Sequence, residues 1–344
     1  MQPRHATITG WGKYVPERVV TNDDLAQVID TSDDWIRTRS GIRERRFVSE
    51  GETTATMSTA AARAALDRAG LDANDLDLIL IATSSPDHLT PPVSSQVQHA
   101  LGAEGVGAMQ IVVGCTGFVY SLVVAQQFIA TGACKTVLVV GAELISRWLK
   151  PEDRSTYVLF GDGAAAVILQ ATDEKAGILG HVLGSDGSGA EYIIVPAGGV
   201  AIPPTRETVD DVAIRMNGRE VFKFATRVMG RALREALDQA GLTVDDIDLF
   251  IPHQANARII EYAAKEAGLP MEKVMMNVDR YGNTSAASVP IALCEAFDTG
   301  RIRPGDTLAM VAFGAGLTWA SCIFQLGTAL PVGAAESLAA EASA

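Results

Sequence analysis

The 344-residue chain predicts an α/β fold, a five-layer α/β/α/β/α sandwich built from a duplicated unit with pseudo-twofold symmetry. Two observations carry this. First, the chain contains itself twice. Ala65-Leu66-Asp67-Arg68-Ala69-Gly70-Leu71 returns as Ala236-Leu237-Asp238-Gln239-Ala240-Gly241-Leu242, a shift of 171 residues. The same shift, without gaps, carries Asp75-Leu76-Asp77-Leu78-Ile79-Leu80 onto Asp246-Ile247-Asp248-Leu249-Phe250-Ile251, and Thr136-Val137-Leu138-Val139-Val140 onto Thr307-Leu308-Ala309-Met310-Val311. A register held this far marks a duplicated supersecondary unit. Second, each copy alternates helical and strand patterns in the same order.

The elements follow in sequence. Residues 54–69 and 225–240 carry apolar side chains at helical spacing and stop at Gly70 and Gly241, as helix C-caps do. The short apolar runs 78–82 and 249–252 read as buried strands, and so does Gln110-Ile111-Val112-Val113. Helices are expected at 117–131 and 287–299, and strands at 136–140 and 307–312. Each copy exposes an apolar helix face, and packing the two faces together gives the layered sandwich. Residues 1–170 then form the first half and 218–327 the second. The Gly-rich segment 171–217 lies outside both copies and is expected to cover the site. The Ala-rich tail 328–344 is expected to be frayed or a loosely attached helix.

Composition excludes several classes. A net charge of −13 argues against a nucleic-acid binder. No uninterrupted apolar run of ~18 residues is present, so no membrane span is expected. Met1 to Gly10 lacks the basic-then-apolar pattern of a secretory leader, and a cytoplasmic protein is expected. The four cysteines (Cys115, Cys134, Cys294 and Cys322) show no paired spacing for zinc or a redox motif. Three are expected as ordinary core residues. Neither metal nor cofactor is expected.

Three distant stretches bear chemistry: Gly114-Cys115-Thr116-Gly117, His253-Gln254-Ala255-Asn256 and Gly282-Asn283-Thr284-Ser285. A thiol, an imidazole and a carboxamide supply a nucleophile and two hydrogen-bond donors, a set suited to thioesters. Cys115 falls at a strand-to-helix turn, where the helix start is expected to lower its thiol pKa. His253 follows a strand, at the end where functional residues of α/β sheets gather. Asn283 reads equally as a turn residue before a helix capped by Thr284 or Ser285. The repeat brings the three together, because Ala286 is the counterpart of Cys115. Phe313-Gly314-Ala315-Gly316-Leu317 is either a tight turn or a backbone donor for an oxyanion. Phe160-Gly161-Asp162-Gly163-Ala164 reads as a structural turn without chemistry. Trp35 and Arg39 share a helix face and form either a base-and-phosphate site or a solvated surface. Arg219, Lys223, Arg227 and Arg231 make a basic stripe for an acidic partner or for solvent.

With these motifs, and with Thr31-Ser32-Asp33-Asp34-Trp35-Ile36, Gly41-Ile42-Arg43-Glu44-Arg45-Arg46 and Val158-Leu159-Phe160-Gly161-Asp162-Gly163, the chain resembles the β-ketoacyl-[acyl-carrier-protein] synthases III among the thiolase-fold condensing enzymes. The resemblance runs from about Ala6 to Gln325. It implies a thiolase-like sandwich, a homodimer and a Cys115–His253–Asn283 triad. It implies that acyl-CoA, a substrate rather than a cofactor, acylates Cys115, and that malonyl-[acyl-carrier protein] then condenses with loss of CO2 to initiate fatty acid synthesis. By the same resemblance, the N–H groups of Cys115 and Ala315 form the oxyanion hole. Trp35, Arg39, Arg154, Asn256 and Phe313 bind CoA or substrate, and Lys223, Arg258 and Lys265 contact the acidic carrier protein. Three departures stand out. The flank Gln110-Ile111-Val112-Val113-Gly114 lacks an acidic residue and alanines, the residue after the nucleophile is Thr116, and Thr90 stands where Phe is frequent in the loop closing the acyl pocket. Thr90 predicts primers longer or bulkier than acetyl. The altered flank keeps a specialised condensing enzyme or acyltransferase of polyketide or secondary metabolism as the alternative.

Overall fold

The computed structural model describes residues 5–328, and residues 329–344 of the proposed tail lie outside them. Apart from four strands of two or three residues, the strands are, in the first half, β1 (His5–Tyr14), β2 (Leu78–Ala82), β3 (Gly107–Ile111), β4 (Thr136–Leu144) and β5 (Asp162–Thr172). In the second they are β6 (Gly177–Ser185), β7 (Leu249–Pro252), β8 (Thr307–Gly314) and β9 (Thr318–Gln325). The first sheet has the order β1-β5-β4-β2-β3 and the second β7-β8-β9-β6. The repeat is exact in register at the centre of each. Leu78 pairs with Val137 in the parallel β2–β4 ladder, and their counterparts Leu249 and Leu308 pair in the parallel β7–β8 ladder.

The main helices are α1 (Asp33–Ser40), α2 (Thr54–Ala69), α3 (Val93–Leu101), α4 (Gly117–Ala130), α5 (Gly218–Ala240), α6 (Ala257–Ala267) and α7 (Ser288–Asp298). Helices α4 and α7 fill the middle layer. Phe118, Leu122, Val289 and Leu293 pack there with Val137 and Val139 of one sheet and Leu308 and Met310 of the other. Helices α2 and α3 cover the outer face of the first sheet, and α5 and α6 that of the second. Five layers result, as the repeat predicts. Gly70 and Gly241 both end their helices at positive φ, 65° and 69°. Cys134, Cys294 and Cys322 are buried free thiols, as expected of core residues.

Three expectations change. Helix α5 starts at Gly218, a full two turns before the expected 225. Residues 177–185, expected outside both halves, form β6 on the edge of the second sheet. Their place corresponds to β1, so the duplication extends further towards the N-terminus than the sequence matches reveal. Finally, the strand before Cys115 ends at Ile111 and is only partly buried. It is the edge strand of its sheet, and Val112 beyond it is 61% exposed.

Candidate active site

Cys115 sits on a single 3₁₀ turn, Gly114–Thr116, that runs directly into α4. Gly114 opens the turn at φ +57°, a conformation costly for any residue with a Cβ. A Cβ there would also lie 3.2 Å from the Ala315 nitrogen. From the other side, a Cβ on Gly314 would lie 2.8 Å from the Cys115 nitrogen. The end of β8 is therefore pressed against the Cys115 turn, and the N–H groups of Cys115 and Ala315 both act on the sulfur. Thr116 Oγ1 donates to Val113 O at 2.6 Å and meets Thr318 Oγ1 at 3.1 Å, which ties the turn to β9.

The expected lowering of the Cys115 pKa by the helix start is overturned. Enclosure pushes the thiol up to about 12, and the buried Glu143 carboxylate adds to the rise. A hydrogen bond from Ser285 and the two backbone N–H groups act against it. Burial removes the water that would solvate a thiolate, and one helix start does not replace it.

His253 follows β7 and is 1% exposed. Its N–H donates to Val311 O of β8 at 2.8 Å. Its Nδ1 lies 2.5 Å from Ser288 Oγ, which also accepts the Gln254 N–H at 3.3 Å. With its oxygen accepting from Gln254, Ser288 has its proton free for Nδ1, and this pattern assigns the remaining proton to Nε2. Burial lowers the His253 pKa to about 3, so the ring is neutral and donates from one nitrogen. Gln254, adjacent in sequence, serves the scaffold. Its Oε1 accepts the N–H groups of Asn277 and Val278, and its Nε2 donates to Pro252 O and Met275 O.

Asn283 is held by backbone bonds to a segment read from sequence as a plain turn. Its N–H donates to Leu159 O at 2.8 Å, and its carbonyl accepts from Gly161 N at 3.0 Å. Its side-chain Oδ1 accepts the Ser285 N–H at 2.9 Å, which leaves the amide NH2 as a donor. Asp162 anchors that segment by accepting from the N–H groups of Val48 and Ser146.

All three side chains line one cavity of about 320 Å³, together with Phe313, Ala315 and Asn256. Ile193, Val195, Ile214 and Met216 form part of its wall. Phe313 meets the His253 ring edge-on at 5.3 Å. Asn256 also caps α6 through the Arg258 N–H and donates to Arg39 O. Two guanidinium groups lie over the Trp35 ring, Arg39 at 4.4 Å and Arg154 at 4.6 Å from its centroid. Lys223, Arg258 and Lys265 are exposed. Thr90 is exposed and does not line the cavity of its own chain. Among the described residues, no cluster of three or more His, Cys, Asp or Glu could hold a metal.

Sequence reading missed Glu143, Ser285 and Ser288. Glu143 left a signal, as the one charged residue in the apolar strand Thr136–Leu144. Ser285 was visible only as a helix cap, a role it does not play.

Two family models match the chain. They are 3-oxoacyl-[acyl-carrier-protein (ACP)] synthase III over residues 109–187, and its C-terminal model over residues 237–326. The β-ketoacyl-[acyl-carrier-protein] synthase III of Roseiflexus sp. (strain RS-1) is 50% identical over 323 residues, 93% of this chain and 98% of that protein. The chain belongs to the β-ketoacyl-[acyl-carrier-protein] synthase III family. Like them, it is a condensing acyltransferase of the thiolase fold. The crystal structure of the 3-oxoacyl-[acyl-carrier-protein] synthase III from Aquifex aeolicus VF5 superposes with a TM-score of 0.88 at 45% identity, covering 93% of this chain and 99% of that one. The priming β-ketosynthase of the R1128 polyketide pathway superposes with the same TM-score at 36% identity, covering 95% and 97%. Nothing in these likenesses supports the polyketide alternative over the fatty-acid reading.

Proposed function

We propose that an acyl-CoA acylates Cys115 and that malonyl-[acyl-carrier protein] then condenses onto the acyl group with loss of CO2, initiating fatty acid synthesis. The observation that carries this is the convergence of Cys115, His253 and Asn283 on one cavity, with Ala315 of the β8 end beside them. Decarboxylation needs no base. It needs donors aimed at the enolate oxygen, and His253 Nε2–H and the Asn283 NH2 are two neutral, fixed donors in a water-poor site. Neutral His253 suits this role, because it cannot quench the carbanion with an extra proton. The N–H groups of Cys115 and Ala315 serve the oxyanion formed at the acyl carbonyl.

The remaining roles follow from placement. Trp35, with Arg39 and Arg154 close to its ring, offers a plane and two cations for the CoA nucleotide. Asn256 and Phe313 line the pantetheine path. Lys223, Arg258 and Lys265 give a chain of net charge −13 a cationic place for an acidic carrier protein. The chain acts as a homodimer in the cytoplasm. The half-exposed edge strand β3, the exposed Val112 just beyond it and the exposed Leu89 support the dimer. Thr90, outside its own cavity, then closes the partner's acyl pocket and leaves room for primers longer than acetyl. Residues 171–217 supply the tunnel wall, apart from β6. Among the described residues no helix is long and apolar enough to cross a membrane.

Product analysis with malonyl-[acyl-carrier protein] and a panel of acyl-CoAs tests this reading. A β-ketoacyl product with an optimum above two carbons is expected. Acyl transfer without CO2 release would overturn the condensation, and an optimum at acetyl-CoA would overturn the roomier pocket.

A further inference from the structure

Glu143 is a fully buried carboxylate that the condensation chemistry above leaves without a role. Its surroundings are built. Oε2 accepts the Ser85 hydroxyl at 2.6 Å, and Ser85 Oγ itself accepts the Leu144 N–H at 2.9 Å, which aims the Ser85 proton at Glu143. Oε1 accepts the Ser84 N–H at 3.1 Å and lies 3.1 Å from Ser285 Oγ. Ser285 Oγ is in turn 3.3 Å from Cys115 Sγ. The hydroxyl has one proton and two neighbours. With a thiol and a carboxylate at its ends, Ser285 accepts from sulfur and donates to Glu143. With a thiolate and a carboxylic acid, both bonds reverse. Ser285 is also held at φ +50°, a strained conformation for a side-chain-bearing residue. Strain kept at the one hydroxyl between the nucleophile and a buried acid points to use.

We propose that Glu143, acting through the Ser285 hydroxyl, takes the Cys115 proton during acylation and holds it until condensation. This rests on Cys115 being the nucleophile. In acylation the Cys115 S–H bond breaks, its proton passes to Ser285 Oγ, and the Ser285 proton passes to Glu143 Oε1. The sulfur forms a bond to the acyl carbon, the bond from that carbon to the CoA sulfur breaks, and the departing CoA thiolate takes a proton from water. In condensation the enolate carbon bonds to the acyl carbon and Cys115 leaves as thiolate. It recovers the proton from Glu143 along the same route. One proton from water is consumed per turnover, and it ends on CoA.

The electrostatics agree. A thiol raised to about 12 needs an acceptor, and burial raises Glu143 to about 7, where it can both accept and release a proton. The groups bonded to Glu143 are the hydroxyls of Ser85 and Ser285 and the backbone of Ser84 and Ser85, and Cys115 is the titratable group that feels its charge. Ser285 is the catalytic residue here, because it touches the reacting sulfur, and Glu143 positions the proton through it.

The test measures Cys115 acylation by stopped-flow intact mass as a function of pH, in the wild type, Glu143→Gln and Ser285→Gly. Glycine suits φ +50° and keeps the N–H that holds Asn283, so that variant stands if Glu143→Gln fails to fold. The wild-type rate should rise and level off near pH 7. Both variants should be slower by about 10²-fold at pH 7 and climb through that pH without a plateau. Infrared difference spectra on acylation should show a protonated-carboxyl band that is missing in Glu143→Gln. An unchanged pH profile in both variants, or no such band, overturns the relay. An acyl adduct mapped to a residue other than Cys115 overturns the relay and the proposed nucleophile together.

Discussion

Gly114 and Ser285 stand 171 residues apart and hold the same left-handed conformation, at φ +57° and +50°. Each opens a three-residue 3₁₀ turn leading into a middle-layer helix. The next position is Cys115 in the first half and Ala286 in the second. The strands that touch these turns are counterparts too. Glu143 near the end of β4 meets Ser285 of the other half, and its counterpart Gly314 at the end of β8 meets Cys115. One backbone plan thus serves two chemistries. The first half supplies the nucleophile and a buried acid. The second supplies two neutral donors, the Ser285 hydroxyl between nucleophile and acid, and the small residues that let the Cys115 turn approach. The halves also differ in length. Gly314 and Thr318 frame a tight turn between β8 and β9, whereas residues 145–161 separate β4 from β5. That longer link carries Arg154 against Trp35 and Leu159–Gly161 against Asn283.

If Cys115 serves acylation while His253 and Asn283 serve decarboxylation, substitutions should split the reaction, and this is the largest expected effect. Cys115→Ala should abolish the acyl adduct seen by intact mass. His253→Ala and Asn283→Ala should each lower malonyl-thioester decarboxylation about 10²–10³-fold, or ~3–4 kcal/mol of barrier, with a much smaller loss in acylation. CO2 release and adduct formation, measured separately on each variant, check this. Equal losses in both steps for Asn283→Ala would mean that the division is wrong.

A smaller effect concerns the nucleotide end. Trp35→Ala should raise KM for acyl-CoA about 10-fold, near 1.4 kcal/mol, with kcat little changed, because stacking binds ground and transition states alike. A fall in kcat at unchanged KM would place Trp35 elsewhere in the reaction.

The buried acid and the buried imidazole should leave opposite marks on stability. Burial lowers His253 from 6.5 to about 3. The unfolded chain therefore binds the extra proton between those values, and stability falls as pH drops from 6.5 towards 3. Burial raises Glu143 from 4.5 to about 7. Here the folded chain binds the extra proton, so stability is lost as pH rises from 4.5 through 7. Each slope is at most about 1.4 kcal/mol per pH unit. Urea midpoints across pH should flatten on the acid side in His253→Asn and on the neutral side in Glu143→Gln. The same slope in wild type and variant would remove the corresponding assignment.

The repeat and the three motifs were legible because both are local. A seven-residue match and a glycine-flanked cysteine survive in a linear string. What was hidden depends on contacts between halves. Glu143 looks like an oddity within an apolar strand until the fold sets Ser285 beside it. Strand 177–185 shares its place with β1 but too little of its sequence. The helix start at Cys115 is visible in sequence, and the enclosure that raises its pKa is not. Val112 reads as buried in sequence because apolar runs do not say whether their sheet continues beyond them.

The smallest effect tests how closely the halves meet. Gly70 has φ +65° and open space where a Cβ would go, so Gly70→Ala measures the left-handed penalty alone, about 1 kcal/mol. Gly114 has nearly the same φ, but its added Cβ would meet the Ala315 nitrogen, Cβ and oxygen at 3.2–3.3 Å. Gly114→Ala should therefore cost more than Gly70→Ala in urea unfolding, and should slow Cys115 acylation by displacing the Ala315 N–H. Gly70→Ala lies far from the cavity and should lose stability only. Equal costs for the two variants, with acylation intact in both, would show that Ala315 yields freely. The close approach of β8 would then not be what holds the oxyanion donor in place.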